Sequence, residues 1–382
     1  MSLLNSYQIK SQIRGYVAET KVEGNEIMKF RYSSMHIREE IRSIEDLVKI
    51  LNPSVIQLQL DTNICIYLRE FYRTPSKTIV DEVLWYELKK FFMHIEQYNV
   101  SIDYSLGVEE SCRNLNNFKI NYEKLDETVD ILRDLFKMDF LQIIEHSKLI
   151  QFSEPVKDKS KRKLSKAESL EQESSFQNLI ILSYACLLKL YLIYNDVTES
   201  SNVKKMINYI DFLANEINIM SLTHVIYGNL LLSGHPKAVR LIHPSKKTIP
   251  HFIHGIWNAA LDLTLPTLVS GRFSSAKKVP VFVTRDELLW LIFDSMKMKY
   301  MFSGSEKFTH PPFIEIDFSK CNWNMDEMEQ INKHYSKIQE KRLYNFIIQN
   351  ESVEERLDKL RSLCLVLEND VKEFLSTKNG WK

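Results

Sequence analysis

The sequence has few chain breakers, no paired cysteines and no net charge. Its 382 residues include nine glycines and ten prolines, and so few breakers leave room for long helices. The five cysteines are scattered along the chain without a Cys-x-x-Cys spacing, which argues against a disulfide framework and against a structural zinc site. This cysteine usage predicts a reducing, cytoplasmic setting.

Export and membrane signals are also missing. The first residues, MSLLNSYQIKSQIRGYV, lack the basic start and apolar centre of a signal peptide. The most apolar run, 179–194, contains Lys189 and is shorter than the roughly 20 residues that a membrane span needs. We therefore expect a buried helix there and no membrane partner.

Fifty basic residues balance fifty acidic ones, so no overall field points to a polyanionic partner, but a local basic patch is compatible with this balance.

The composition is that of a globular chain. Apolar residues make up 44% and charged residues 26% of it, enough to bury a sizeable core in one domain or a few. The sequence contains neither GxxxxGK[ST] nor GxGxxG, so nucleotide-triphosphate chemistry has no support.

Periodicity predicts many helices and few strands. Apolar residues recur at helical spacing along three segments. They are Leu125, Val129, Leu132 and Phe136 in the first, Val203, Met206, Ile207, Ile210, Leu213 and Ile217 in the second, and Leu357, Leu360, Leu363 and Leu367 within the last stretch, 326–375. Strand-like runs at 55–60, 98–106 and 279–284 are isolated between helical segments, which predicts a parallel sheet of the α/β kind.

Acidic residues follow each of these strand-like runs. Asp61 ends the first run in LDTN, Asp286 follows the third in VTRD, and Glu109 and Glu110 come just after the second. In open α/β sheets this carboxyl edge is where ligands bind. For Asp61 alone, capping of the next helix is the simpler interpretation, because Asp, Thr and Asn all cap well.

A further acidic residue lies within an apolar helical segment. Asn258 and Asp262 are at positions i and i+4 of HGIWNAALDLTL and so share one helix face. A buried aspartate is costly without a cation or hydrogen-bond donors. Converging carboxylates either share protons in acid–base chemistry or hold a hard divalent ion, and an all-oxygen set favours Mg²⁺ or Mn²⁺.

These motifs, in this order along the chain, resemble the acidic motifs of PIN-domain nucleases. The resemblance rests on LDTN at 60–63, the acidic pair at 109 and 110, the aspartate at 262, and VTRD at 283–286. It implies a Mg²⁺- or Mn²⁺-dependent endoribonuclease with Asp61, Glu109, Asp262 and Asp286 as catalytic metal ligands. Glu110 would be the reserve for Glu109, with Asn63 and Thr284 as supporting residues and Asn258 beside Asp262.

The resemblance also implies an architecture. The fold would be a PIN-like parallel sheet flanked by helices, with a large helical insertion and a helical C-terminus. The corresponding boundaries are 1–118 and 231–320 for the two parts of the core, 119–230 for the insertion, and 321–382 for the C-terminal helices.

Basic residues provide candidate contacts to nucleic acid. The segment 154–175 has almost no large apolar side chains and is expected to be an exposed loop, either inert or tethering a phosphate backbone. The candidate phosphate contacts are Lys157, Lys159, Lys161, Arg162, Lys163, Lys246 and Lys247. RNA is the expected partner and DNA the second, and an inhibitor or partner protein would fit a toxin or defence effector.

Three other residues have competing interpretations. His251 and His254 could be zinc ligands, but no third soft ligand follows at a matching spacing, so packing at a helix start is favoured. Cys65 lies between two isoleucines, which favours a core thiol over a nucleophile.

The alternative to a nuclease is a noncatalytic protein-binding scaffold with a vestigial acidic site.

Overall fold

The fold is taken from a computed structural model. It describes residues 30–113, 120–152, 166–242, 248–271, 278–300, 313–346 and 353–377. By contacts between residues the chain divides into two compact units. The first unit comprises Met1–Leu164 and Val269–Trp290, and the second comprises Ser165–Leu268 and Leu291–Lys382.

Within the described ranges, helices and strands alternate first and helices dominate later. Up to residue 152 the elements are β1 (Arg31–Ser33), α1 (Ile44–Ile50), β2 (Ile56–Leu60), α2 (Thr62–Arg73), α3 (Pro75–Val80), α4 (Glu82–Tyr98), β3 (Ser101–Asp103), α5 (Ser105–Ser111), α6 (Tyr122–Leu135) and α7 (Phe140–Ser147). The helices α8 (Lys166–Asn195), α9 (Asn202–Asn215), α10 (Leu222–Leu232), α11 (Val239–Ile242) and α12 (Ile249–Gly271) follow. The last elements are β4 (Val279–Thr284), α13 (Glu287–Asp294), β5 (Met296–Tyr300), β6 (Phe313–Ile316), α14 (Met325–Phe346) and α15 (Val353–Thr377).

The first unit is built on a small mixed sheet in the order β1-β4-β2-β3. Strands β3, β2 and β4 run parallel, and β1 pairs antiparallel with β4 at the edge. Leu60 pairs in register with Val283, so the residues that follow them, Asp61 and Thr284, leave the sheet side by side. Parallel strands end at one edge, and this register therefore brings two distant sequence motifs together.

Apolar residues of the strands and helices form the core of the first unit. Ile56, Leu58 and Val281 are buried in the sheet, and Leu132 of α6 and Phe140 of α7 are buried in the same cluster. Helices α6 and α7 therefore belong to the same core, in which α6 packs against α2 and α5, and α7 packs against α3 and α4. The predicted stripe on 125–136 is confirmed, although the fully buried face also includes Ile131 and Leu135.

The second unit is mainly helical. Helix α8 packs against α9, α10 and α15, and α9 also packs against α14. The predicted apolar stripe along α9 is confirmed, since Val203, Met206, Ile210 and Leu213 are buried. Strands β5 and β6 form a separate antiparallel pair.

One helix in the described part of the chain, over Asn178–Asn195 of α8, is long and apolar enough to cross a membrane by length and composition. More than half of that window is buried against other residues of the protein. A buried core helix passes the same test of length and composition, so this stretch is weak support for a span.

The predicted α/β class is confirmed, but the sheet is mixed rather than purely parallel, because β1 pairs antiparallel with β4, and other details differ as well. Strand β3 covers 101–103 rather than 98–106, because α4 extends to Tyr98 and α5 begins at Ser105. Residues 166–175, predicted as loop, belong to α8. The contact-based first unit comprises residues up to 164 and 269–290, and 231–268 lies in the second unit. The boundaries 118, 230 and 320 stay a prediction, because amphipathic periodicity identifies a helix but not the core against which it packs.

Candidate functional site

Asp61 and Thr284 form the centre of the carboxyl edge. The Thr284 hydroxyl donates a hydrogen bond of 2.6 Å to Asp61 Oδ2, and the Asp61 backbone N–H donates to the Val283 carbonyl. Only 1% of the Asp61 surface is exposed, and Thr284 is fully buried. The two motifs therefore share one buried contact although 223 positions separate them.

Asp286 is connected to the same hydroxyl group. Its backbone N–H donates to Thr284 Oγ1 at 2.9 Å, so Thr284 bridges the Asp61 carboxylate and the Asp286 backbone. The Asp286 Oδ1 atom accepts from the N–H groups of Leu288 and Leu289, which is ordinary capping of α13. Asp286 is thus partly occupied by a structural role.

The capping role explains Asp61 less well. An N-cap side chain normally accepts from the second or third N–H of its helix. Asp61 Oδ1 instead accepts from the first, that of Thr62, at 2.7 Å. The side chain of the exposed Asn63 adds a hydrogen bond to the same carboxylate. Capping alone does not require a carboxylate as buried as this one.

The environment of Asp61 shifts its titration strongly. Burial raises the pKa of Asp61 to about 6, hydrogen bonding from Thr284 opposes this rise, and the negative charge of Asp286 adds to it. At neutral pH an ionised Asp61 is therefore less stable in the folded chain than in water. A carboxylate whose pKa is raised by burial and by a neighbouring carboxylate is typical of functional sites, although structural networks produce such shifts as well.

Helix α5 brings a third carboxylate to the edge. A Cβ atom on Gly107 would lie 2.6 Å from the Leu60 carbonyl oxygen and 2.9 Å from Cys65 Sγ, so only glycine permits this close approach. One turn later, Glu110 Oε2 accepts from the Thr62 hydroxyl at 2.5 Å. Glu109 points elsewhere and forms an ion pair of 2.5 Å with Arg113. The reserve residue, Glu110, is therefore the one that contacts the Asp61 turn.

Asp103 is an acidic residue at this edge that the sequence did not single out. It ends β3, next to β2, and its Oδ2 atom accepts from Gln59 Nε2 at 3.3 Å. Its position directly after a strand is the signal that could have identified it, but that strand was predicted to continue to 106. The charges of Asp61, Glu110 and Asp103 all raise the pKa of the buried Cys65 thiol, after burial itself. Cys65 is thus a core residue surrounded by carboxylates.

Asp262 and Asn258 lie on α12, within the second unit. Both side chains are half-buried, and the Asn258 Oδ1 atom is buried without a hydrogen-bond partner. The site described here, in the first unit, is built without them. His251 is exposed near the start of α12 and shares a hydrogen bond of 2.5 Å with Thr248, which agrees with packing at a helix start.

The predicted phosphate contacts lie outside the described residues. Lys157, Lys159, Lys161, Arg162 and Lys163 fall within 153–165, and Lys246 and Lys247 fall within 243–247. Their role stays a prediction.

The carboxylate oxygens at the edge are suitable ligands for a hard divalent ion, but they already accept hydrogen bonds within the protein. Asp61, Glu110 and Asp286 offer carboxylate oxygens only, the ligands that Mg²⁺ and Mn²⁺ prefer. Each carboxylate accepts up to about four hydrogen bonds or ligand bonds, so the bonds described leave capacity for an ion. As they lie, however, no three His, Cys, Asp or Glu side chains among the described residues form a group that could hold a metal ion. Binding would require a change in the position of at least one of these side chains.

Comparison with known proteins adds no assignment. No protein-family profile, no curated protein and no solved structure matches the chain.

Proposed function

We propose that the carboxyl edge of the first unit is the active site of a Mg²⁺- or Mn²⁺-dependent nuclease that acts on RNA. One observation carries the proposal. The buried Asp61, whose pKa is raised to about 6, shares the Thr284 hydroxyl with the Asp286 backbone at the end of two parallel strands. A bound cation accounts for the cost of ionising such a carboxylate, because it favours the charged form.

Asp61, Asp286 and Glu110 would hold the ion. Thr284 orients Asp61 through the bond to Oδ2, and Asn63 and Thr62 add donors to the same carboxylate. Such fixed donors keep the carboxylate in one rotamer, which favours a preorganised site. A divalent ion at this position would lower the pKa of a bound water and offset negative charge on the departing oxygen.

We assign to Glu110 the role that the resemblance to PIN-domain nucleases implies for Glu109 or, in reserve, for Glu110. The ion pair with Arg113 holds Glu109 away from the edge, whereas Glu110 reaches the first residue of α2. Asp262 lies in the second unit. Only the resemblance to PIN-domain nucleases suggests that it completes a second metal site or a water shell.

The second candidate function is a noncatalytic protein-binding scaffold. It is favoured by one feature of the edge, namely that each of the hydrogen bonds described above also secures a turn, a strand end or a helix end. Asp286 caps α13, and the Glu110–Thr62 bond fastens α5 to α2. In this alternative the carboxylates stabilise the fold and no ion is required.

Cleavage of a mixed RNA pool separates the two functions. The wild type should cleave in Mn²⁺ and stop when EDTA is added, while its thermal unfolding in EDTA stays cooperative, because the site lies at an edge. Asp61→Asn and Asp286→Asn should each lower cleavage by orders of magnitude, and Glu109→Gln, the matched control, should not. Cleavage that persists in excess EDTA would contradict the metal requirement, and equal cleavage by all four proteins would contradict an active site at this edge. No cleavage of RNA or DNA in Mn²⁺ would support the scaffold instead.

The basic segment is proposed to bind the substrate backbone. Replacing Lys157, Lys159, Lys161, Arg162 and Lys163 by serine should weaken RNA binding and flatten its salt dependence, because each neutralised phosphate contributes to the slope of log affinity against log salt. An unchanged salt slope would show that the segment is an inert linker.

A further inference from the structure

Two side chains next to the carboxylates form a stacked pair. Arg285 lies in the sequence between Thr284 and Asp286, and its guanidinium carbon is 4.7 Å from the centre of the Tyr67 ring. Tyr67 belongs to α2, the helix that begins after Asp61, and it is half-buried against the core of the first unit. The core therefore fixes the ring, and the ring in turn orients the guanidinium.

A polyanionic substrate needs a cation at this edge. Asp61, Glu110 and Asp286 all repel phosphate, and Arg285 is the only basic residue in the two strand-end motifs, DTN and TRD. An arginine stacked on an aromatic ring loses less conformational freedom on binding than a free one, because its planar group is already oriented. The guanidinium carbon lies over the Tyr67 ring, and the N–H donors of a guanidinium lie in one plane, in a fork that matches phosphate oxygens.

We propose that Arg285, supported by Tyr67, is a substrate-positioning residue that selects single-stranded nucleic acid. This inference rests on the proposed nuclease function. The guanidinium edge would donate to a phosphate next to the one that is cut, and an unstacked base would pack on the guanidinium plane. Bases within a duplex stack on one another and cannot use such a platform, so the pair selects single strands.

The test is binding of a short fluorescein-labelled RNA, followed by anisotropy in Ca²⁺, with a gel to verify that the RNA stays intact. The proteins are the wild type, Arg285→Ala, Arg285→Lys and Tyr67→Leu. Lys90→Ala is the matched control, since Lys90 lies 5.5 Å from the Tyr86 ring on α4, away from the edge. Single-stranded RNA, single-stranded DNA and an RNA duplex are compared at several salt concentrations.

Arg285→Ala should weaken single-strand binding about tenfold and reduce the salt slope by about 0.7, the value for one phosphate contact. Arg285→Lys should recover the slope but not the affinity, because lysine keeps the charge and loses the planar group. Tyr67→Leu should weaken binding at an unchanged slope, and the control should bind as the wild type does. The duplex should bind more weakly than either single strand.

Three results would overturn this subsite. They are equal binding by Arg285→Ala and the wild type, no preference for single strands, and no binding of any of the three nucleic acids. The nuclease proposal and the subsite proposal can be contradicted independently. A wild type that binds through Arg285 but never cleaves in Mn²⁺ contradicts catalysis and leaves the subsite standing, whereas normal cleavage and binding by Arg285→Ala removes the subsite alone.

Discussion

Replacing Asp61 with asparagine should stabilise the protein at alkaline pH. The pKa of this carboxyl rises from its ordinary value of 3.8 to about 6 on folding, chiefly through burial. Because one pKa unit corresponds to about 1.36 kcal/mol, keeping Asp61 ionised in the folded state costs roughly 3 kcal/mol well above pH 6. Asparagine keeps the size of the side chain and carries no charge.

Part of that gain is offset by a lost hydrogen bond. The two Asp61 oxygens accept from the Thr284 hydroxyl and from the Thr62 N–H, whereas asparagine has one acceptor oxygen and keeps only one of these bonds. We expect this loss to cost roughly 1–2 kcal/mol. We therefore expect Asp61→Asn to raise the free energy of unfolding by roughly 1–2 kcal/mol at about pH 8 in the absence of divalent ions.

The pH dependence gives the sharper test. A folded-state pKa above the unfolded value means that the folded chain binds more protons between the two values, so the cost is present above pH 6 and fades as the pH falls. At about pH 5 the cost of ionising Asp61 in the folded state should be roughly half of the 3 kcal/mol, and the stability gained by Asp61→Asn should decrease accordingly.

The assay is urea unfolding followed by circular dichroism and by tryptophan fluorescence, since two compact units need not unfold together. Asp81→Asn is the control, because Asp81 caps α4 through Leu84 N–H and is only half-buried. The reasoning is refuted if Asp61→Asn lowers the free energy of unfolding at pH 8, or if the difference from the wild type does not change with pH.

Three further predictions concern other parts of the site and the second unit. Gly107→Ala should lower the free energy of unfolding by roughly 1–3 kcal/mol, because the new Cβ would lie 2.6 Å from the Leu60 carbonyl oxygen and the main chain would have to shift. An unchanged thermal unfolding midpoint would contradict this prediction. In cleavage assays the Asp61→Asn/Asp286→Asn double variant should be hardly worse than either single one, since residues that act as a unit are strongly non-additive, and additive losses would argue for separate roles. His224 is buried between the Ser183 and Ser221 hydroxyls, and burial lowers its pKa to about 3. The unfolded chain therefore binds a proton at His224 that the folded chain does not bind, and the free energy of unfolding should fall as the pH drops below about 6.5. His224→Asn should reduce this loss of stability at acid pH, measured by urea unfolding.

The carboxyl edge is predictable because two strand-like runs end close to an aspartate. The run 55–60 has Gln57 and Gln59 between apolar residues and is followed by Asp61, and the valine-rich run 279–284 is followed by Arg285 and Asp286, so the ends of both runs can be identified. Once they are parallel neighbours, Asp61 and Thr284 are adjacent by register. The supporting roles of Asn63 and Thr284 were implied by the resemblance to PIN-domain nucleases alone, and the bond from Thr284 to Asp61 was not specified by it.

Other features depend on packing that periodicity does not encode. Adjacent helical residues point about 100° apart, so the choice between Glu109 and Glu110 depends on how α5 sits, and that is set by the close approach at Gly107. Asp103 was missed because Tyr98 and Ser105 belong to helices rather than to one long strand. The stack of Arg285 on Tyr67 joins residues that no spacing rule relates.

The most direct test of the account is Mn²⁺ binding measured by electron paramagnetic resonance of the free ion. If Asp61 and Asp286 are two ends of one site, the wild type should remove Mn²⁺ from solution near pH 8, and Asp61→Asn and Asp286→Asn should each abolish that binding. Binding should also weaken as the pH falls through about 6, where Asp61 takes up its proton. Equal Mn²⁺ binding by the wild type and both variants, or none by the wild type, would contradict a metal site at this edge.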